Sequence, residues 1–370
     1  MSDELCYIHR CDGMKQQDRK RMIRVFRTGA HAHRTPLSYS ALAPLFSDEI
    51  THTQRPDQAD IYVFAHSLDI ENAPLELVED WRQRQRPIVL LSEEPFWDTI
   101  WGRQPLARRR TIDSRYGLLP VYQLNHCTSS IFRFTKIPYY LLTNHRFANA
   151  YAARLKRNCE LSEQDWQNAF ASRPTRLSFM FERRPEPFHS ISWPEAGLAG
   201  LCNWRTKVAE HCRAGPIKCF GRSWNGASPD RRQLYDWHLD KLALLDNHQQ
   251  TLMAFENTHH PEYITEKIFD AFACGALPAY WAAPEHRLHE FGLPEGSWLN
   301  LHGLTPTEAA TRLDGLAWDS PSWVRDFCAA YTAAQHRLAA LLCNPSHWLH
   351  ERQRLKTTLL AELTEILDGN

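Results

Sequence analysis

Short apolar runs separated by amphipathic stretches dominate the first half of the chain. Residues 21–26 and 59–65 are dense in β-branched and aromatic side chains, and residues 87–91 read Pro-Ile-Val-Leu-Leu; all three predict strands. Residues 75–84 space their apolar positions three and four apart, which predicts a helix between two of those strands. Strands alternating with helices imply an α/β fold, a parallel sheet with helices on its faces. Ligands of such sheets gather at the carboxyl ends of the strands. Ser92-Glu-Glu-Pro95 lies at such an end.

A polar stretch over residues 160–176 predicts an inter-domain linker, after which a second strand series begins. Its members are predicted at 177–181, 217–221, 251–255 and 276–280, with a helix over 265–274 capped by Gly275. The tail over 346–367 puts Leu355, Leu359, Leu363 and Ile366 on one face, an amphipathic helix. Its polar face mixes both charge signs, which favours packing against the body over lying on a membrane. At 370 residues the chain exceeds what one core fills. The division expected is 1–165, 166–345 and a terminal helix over 346–370.

Composition narrows the function. Lys plus Arg and Asp plus Glu both number 43, so the basic excess of a nucleic-acid binder is missing. Arg103, Arg108, Arg109, Arg110 and Arg115 form a local basic cluster, either a solvated loop or a contact for an anionic acceptor or membrane surface. No apolar run approaches the ~18 residues of a membrane span, and the first residues lack a basic start followed by an apolar core. The expected location is cytoplasmic, with peripheral association at the inner membrane left open. The 10 cysteines, Cys6 and Cys11 among them, contain no CxxC pair and read as reduced, mostly buried thiols. There is no Asp-x-Asp, GxGxxG or Walker loop, and the adjacent His259-His260 lack the spacing of a helical zinc pair. His289, with His286 nearby, reads as a surface position. No metal or cofactor is therefore expected. Among the 13 tryptophans, Trp97, Trp101 and Trp224 are candidates to stack on an acceptor sugar, with core packing as the alternative.

The segment richest in chemistry runs from Phe255-Glu-Asn through Tyr263-Ile-Thr-Glu-Lys267 to Pro278. A strand ends, a polar loop follows, and a helix begins with Glu266 and Lys267 in its first turn. A helix N-terminus offers free N–H groups and a positive dipole end to a phosphate. Lys267 adds a full charge, and Glu266 can hydrogen-bond a ribose diol. Together they suit a sugar nucleotide, although each alone could be a solvated first-turn residue.

The pattern FEN-x5-YITEK-x10-P resembles the donor-binding signature of the α-1,3/1,4-fucosyltransferase family, in its bacterial cytoplasmic type. The resemblance implies the GT-B architecture, two Rossmann-like domains facing a central cleft, followed by C-terminal helices. It implies that Asn257, Tyr263 and Glu266 contact the nucleoside of GDP-fucose and that Lys267 pairs with the pyrophosphate. Arg205, in Asn203-Trp-Arg-Thr-Lys207 ahead of Cys219-Phe-Gly221, corresponds to the family's upstream arginine and would be the second pyrophosphate ligand. In the first half, Glu93-Glu-Pro95 and then Leu124-Asn-His-Cys-Thr follow the family's Glu-Ser-Pro and Asn-Trp-Thr elements; Glu93 takes the place of the base, with Glu94 as its rival. Phe181-Glu182, Gln250 and Phe220 depart from the family pattern at the edges of the donor pocket. The implied reaction is inverting and metal-independent transfer of L-fucose to a glycan hydroxyl, α-1,3 to N-acetylglucosamine or glucose, as in a lipopolysaccharide chain. Another GDP-sugar as donor, or a non-catalytic glycan- or nucleotide-binding protein, are the alternatives.

Overall fold

The structure is a computed structural model describing residues 22–95, 104–224 and 236–369. Trp97, Trp101, Arg103, Cys6 and Cys11 lie outside the described residues, as does the start of the strand expected from residue 21. In the first half, β1 (Ile23–Arg27), β2 (Ile50–Thr53), β3 (Ile61–Phe64), β4 (Ile88–Leu91), β5 (Arg109–Ser114) and β6 (Gly117–Leu124) form a six-stranded sheet. Its order is β2-β1-β3-β4-β6-β5, parallel except for the antiparallel edge strand β5. β3 and β4 are buried at every position, so covering of both sheet faces is what makes them read as unbroken apolar runs. α1 (Ser67–Glu71) and α2 (Leu75–Arg84) follow β3. α2 buries Leu77 and Val78 and stops where Gln85 turns left-handed.

α3 (Tyr139–Leu142), α4 (His145–Cys159) and α5 (Glu163–Ser172) lead into the second half. The linker expected over 160–176 is therefore wrong: most of it is α5. Ser162 and Asp165 close a reciprocal capping box there, and Trp166 and Phe170, four residues apart, are buried. The polarity that suggested a linker is the helix's outer face.

The second half continues through β7 (Thr175–Met180), β8 (Ser192–Trp193), β9 (Leu198–Gly200), α6 (Cys202–His211) and β10 (Ile217–Phe220). It goes on with α7 (Trp237–Leu245), β11 (Gln249–Met253), β12 (Thr258–His259), α8 (Lys267–Ala273), β13 (Leu277–Tyr280) and β14 (Leu299–Asn300). A five-stranded, wholly parallel sheet runs β10-β7-β11-β13-β14, beside a small antiparallel ribbon of β12, β9 and β8. Most boundaries in this half shift from expectation by one or two residues; β11 starts and stops two residues early, ending at Met253, and α8 starts at Lys267 rather than residue 265. Gly275 is left-handed past the end of α8, as its capping role requires.

Numbered from its own start, each half has its parallel strands in the order 2-1-3-4-5. That is a doubly wound, Rossmann-like order, and its topological switch point lies between the first and third strands. In the second sheet this is the crevice beyond the carboxyl ends of β7 and β11.

α9 (Pro306–Asp314), α10 (Pro321–Leu342) and α11 (Pro345–Asp368) complete the chain. α10 packs on α4 and α5. α11 buries Leu355, Leu359, Leu363 and Ile366, as its periodicity predicts, and returns to the first half. There the Glu362 carboxylate accepts from Ser129 Oγ at 2.8 Å and from the Ser130 N–H at 3.0 Å, and pairs with Arg108 at 2.8 Å. Glu351 accepts the backbone N–H groups of Thr135 and Lys136 at 2.7 and 2.6 Å. No described helix is long and apolar enough to cross a membrane. Truncating Leu359, which is 0% exposed, to alanine is expected to cost about 2–5 kcal/mol in urea unfolding. Leu349→Ala, at a side chain 63% exposed on the same helix, should stay within ~0.5 kcal/mol.

Candidate active site

The switch-point crevice holds a buried cation. Arg205, on α6, is 5% exposed; its guanidinium lies 4.6 Å over the Phe181 ring and donates one N–H to the Phe255 carbonyl at 3.2 Å. Phe181 follows β7 and Phe255 follows β11, so Arg205 spans the gap between the two strands. Its Nε has no partner, and among the described residues no carboxylate pairs with it. Gly221 explains the glycine of the Phe220-Gly221 element. It is left-handed (φ 127°), and a Cβ there would sit 2.4 Å from the Phe181 carbonyl oxygen.

One residue further along, Glu256 collects donors from three elements. Its carboxylate accepts from the Thr265 N–H at 2.8 Å, from Lys267 Nζ at 2.8 Å and from the Tyr280 hydroxyl at 3.3 Å. By holding the Thr265 N–H outside the helix, it delays the start of α8 and leaves Glu266 at the cap rather than in the first turn. Burial works against the Lys267 charge, but Glu256 and Glu266 outweigh it and hold the ammonium above its usual range. Glu266 points inward. Lys241, from α7, lies 3.1 Å from its Oε1 and also pairs with Asp270, to which the Tyr151 hydroxyl donates at 2.7 Å. Burial pushes the Glu266 carboxyl up, yet Lys241 and Lys267 prevail and keep it far below the usual carboxylate range.

The first half contributes the paired carboxylates after β4. Glu93 is 5% exposed and receives the Tyr39 hydroxyl at 2.6 Å and Arg34 Nε at 3.4 Å on Oε1, and the Tyr139 hydroxyl at 3.2 Å on Oε2. Burial pushes its carboxyl up to about 7, with Arg34 and Tyr39 opposing the rise. Glu94 is more open, 19% exposed at the side chain, and reaches the other half. Its Oε2 accepts from the Tyr263 hydroxyl at 2.7 Å and from Asn257 Nδ2 at 3.1 Å. The catalytic and donor-binding candidates thus fall into two adjoining groups, joined by Glu94: Arg205, Asn257, Tyr263, Glu266 and Lys267 on the second sheet's side, and Glu93 with Glu94 on the first's.

Sequence reasoning missed Arg34, Tyr39, Tyr139, Lys241 and Glu256. Only Glu256 carried a visible signal, being the middle letter of FEN. The surface reading of His286 is wrong: it is 2% exposed, packed 5.1 Å from the His259 ring, and burial lowers it to about 3. His289 is exposed, as expected. Trp224 donates to the Phe181 carbonyl at 2.7 Å beside the Arg205 crevice. Arg108 is engaged by Glu362 and Arg109 lies 4.5 Å over the Tyr122 ring, which removes both from a freely solvated cluster. The described cysteines are free thiols, half of them buried. Among the described residues no group of three or more His, Cys, Asp or Glu side chains is placed to hold a metal ion.

Two doubly wound sheets, with a buried guanidinium at one switch point that no described carboxylate pairs, define an α/β protein. Comparison with known proteins specifies it further. Residues 205–364 match the family described as Glycosyltransferase family 10 (fucosyltransferase) C-term. The matched segment contains every candidate on the second sheet and neither Glu93 nor Glu94. A fucosyltransferase-like protein of Arabidopsis thaliana is 28% identical over 135 residues, 36% of this chain and 25% of that protein. The match therefore spans a quarter of the relative's length. A crystal structure of an α1,3-fucosyltransferase with GDP-fucose aligns at 13% identity and a TM-score of 0.41, covering 86% of this chain and 84% of that one. The same type of enzyme with GDP aligns at 14% identity and a TM-score of 0.43, covering 96% and 92%.

Replacing Lys241 by methionine strands Glu266 and Asp270 without their cation. The expected cost is about 3–5 kcal/mol at neutral pH. Glu266 is held low in the native protein, so its contribution is present above the unfolded carboxylate pKa and fades as pH falls. The gap between the two proteins in urea unfolding should therefore be wider at pH 7 than at pH 3.

Proposed function

We propose that this protein is a glycosyltransferase that moves L-fucose from GDP-fucose to a hydroxyl of a glycan acceptor, with inversion at the anomeric carbon. The observation that carries the reading is Arg205. A guanidinium this deeply buried, with an unsatisfied Nε and no carboxylate beside it among the described residues, is incomplete without an anion. It lies where doubly wound sheets take nucleotides. The family match over residues 205–364 supports the fucosyl donor.

In this reading the pyrophosphate of the donor meets Arg205 and Lys267, and Glu256 keeps the Lys267 ammonium charged and aimed. As the bond from C1 of fucose to the pyrophosphate oxygen breaks, negative charge grows on GDP; fixed cations in a dry crevice stabilise it. Two cations can do this without a divalent metal, and none is invoked. Glu266 and Asn257 serve the nucleoside, with Tyr263 between Asn257 and Glu94. Glu93 is the base. Its proton affinity near neutrality suits removal of a proton from the acceptor hydroxyl as that oxygen attacks C1. Glu94, whose Oε2 already accepts two donors, holds the two halves in register. The acceptor is an uncharged sugar hydroxyl on a surface glycan, and the protein acts in the cytoplasm.

Calorimetric titration with EDTA present tests the donor. GDP and GDP-fucose should bind while uridine nucleotides do not, and GDP-mannose should bind more weakly than GDP-fucose. Arg205→Ala or Lys267→Ala should each weaken GDP about 10–100-fold, the worth of a charge-assisted contact. Binding confined to uridine nucleotides, or GDP affinity untouched by both substitutions, would remove the donor assignment. The base is tested by rate: kcat/KM should rise with pH through about 7, and Glu93→Gln should abolish turnover while sparing GDP binding.

A further inference from the structure

The carboxylate of Glu93 is buried on the first sheet's side of the site, and its surroundings are asymmetric. Each carboxylate oxygen has two lone-pair sites. On Oε1 both are taken, by the Tyr39 hydroxyl at 2.6 Å and Arg34 Nε at 3.4 Å. On Oε2, among the described residues, only one is taken, by the Tyr139 hydroxyl at 3.2 Å. We propose that Arg34, Tyr39 and Tyr139 are positioning residues for the transfer reaction: they saturate Oε1, turn the remaining lone pair of Oε2 to the acceptor hydroxyl, and set how readily that oxygen takes the proton. The proposal rests on Glu93 as the base of the reaction described above.

The three come from separate parts of the chain, so the arrangement exists only in the fold. Arg34 and Tyr39 lie in the segment after β1, and Tyr139 opens α3. Arg34 also reaches Glu94 at 3.6 Å, and one guanidinium thus steadies both carboxylates. Among the described residues, Glu94 beside it and Tyr140 on α3 also act on Glu93 or its cage through charge. Burial and the neighbouring Glu93 hold the Tyr39 and Tyr139 phenols far above their usual range. Both therefore remain protonated donors and neither competes as a base. The proton that leaves the acceptor hydroxyl ends on Oε2, the acceptor oxygen bonds to C1 of fucose, and the electron pair of the broken C1–O bond departs with GDP.

Burial raises the proton affinity of Glu93, whereas Arg34 and Tyr39 lower it. Removing a donor to the ionised form must therefore raise its titration midpoint. The carboxyl is followed by 13C NMR of the full chain labelled at glutamate Cδ, its signal identified by loss in Glu93→Gln. Tyr39→Phe and Arg34→Gln should each move the midpoint upward by about one pH unit, and Tyr139→Phe by less, in keeping with its longer bond. The acid limb of kcat/KM should move with it in each variant. A midpoint unchanged by Tyr39→Phe and Arg34→Gln overturns the cage. A midpoint that moves while the acid limb stays also overturns it, because Glu93 is then not the base. A chain that transfers no fucose rejects the reaction itself, and the NMR midpoint still decides whether these residues govern Glu93.

Discussion

Glu256 has no route to water at the carboxyl end of β11, so its charge must be met by protein. It is met by Thr265, Lys267 and Tyr280, and this requirement shapes everything around it. The loop after β12 closes back toward the strand, α8 starts late, and Lys267 is brought from a solvated first turn into the crevice. A buried carboxylate costs several kcal/mol unless its lone pairs are filled. Few backbone paths between β11 and β13 could fill them. The same carboxylate that orders the loop thus keeps the site's lysine charged.

Around that point the charges form a layered system rather than separate salt bridges. Lys241 holds Glu266 and Asp270 from below, Lys267 bridges Glu256 and Glu266, and Arg205 stands across the strand gap with an aromatic ring, not a carboxylate, beneath it. The difference between the cations is functional in kind. A lysine between carboxylates is satisfied; an arginine on a phenylalanine face is available. The ligand's charge is therefore directed to one corner of a crevice whose walls are already neutralised.

Two of the contacts that hold the halves together differ in their physics. At the site, Glu94 makes hydrogen bonds to Asn257 and Tyr263 across the junction, contacts that a polar ligand can replace. Away from it, α11 buries a row of leucines and ties the first half through Glu351 and Glu362.

The α/β class, most strands, α2, α11 and the second-sheet candidates were legible along the chain, because each depends on neighbours in sequence. Apolar period, capping residues and the FEN and YITEK spacing are local signals. Helix α5 was misread because its exposed face outnumbers the two aromatics, Trp166 and Phe170, that anchor it. His286 was misread because burial is a property of what packs above a residue, which one-dimensional spacing does not carry. The partners of Glu93 lie more than forty positions away, and Lys241 finds Glu266 from another helix. Residue order therefore settled which chemistry the chain can offer. Tertiary structure alone decided which carboxylate is caged, which joins the two halves and which cation is left wanting an anion, since those depend on burial and long-range pairing.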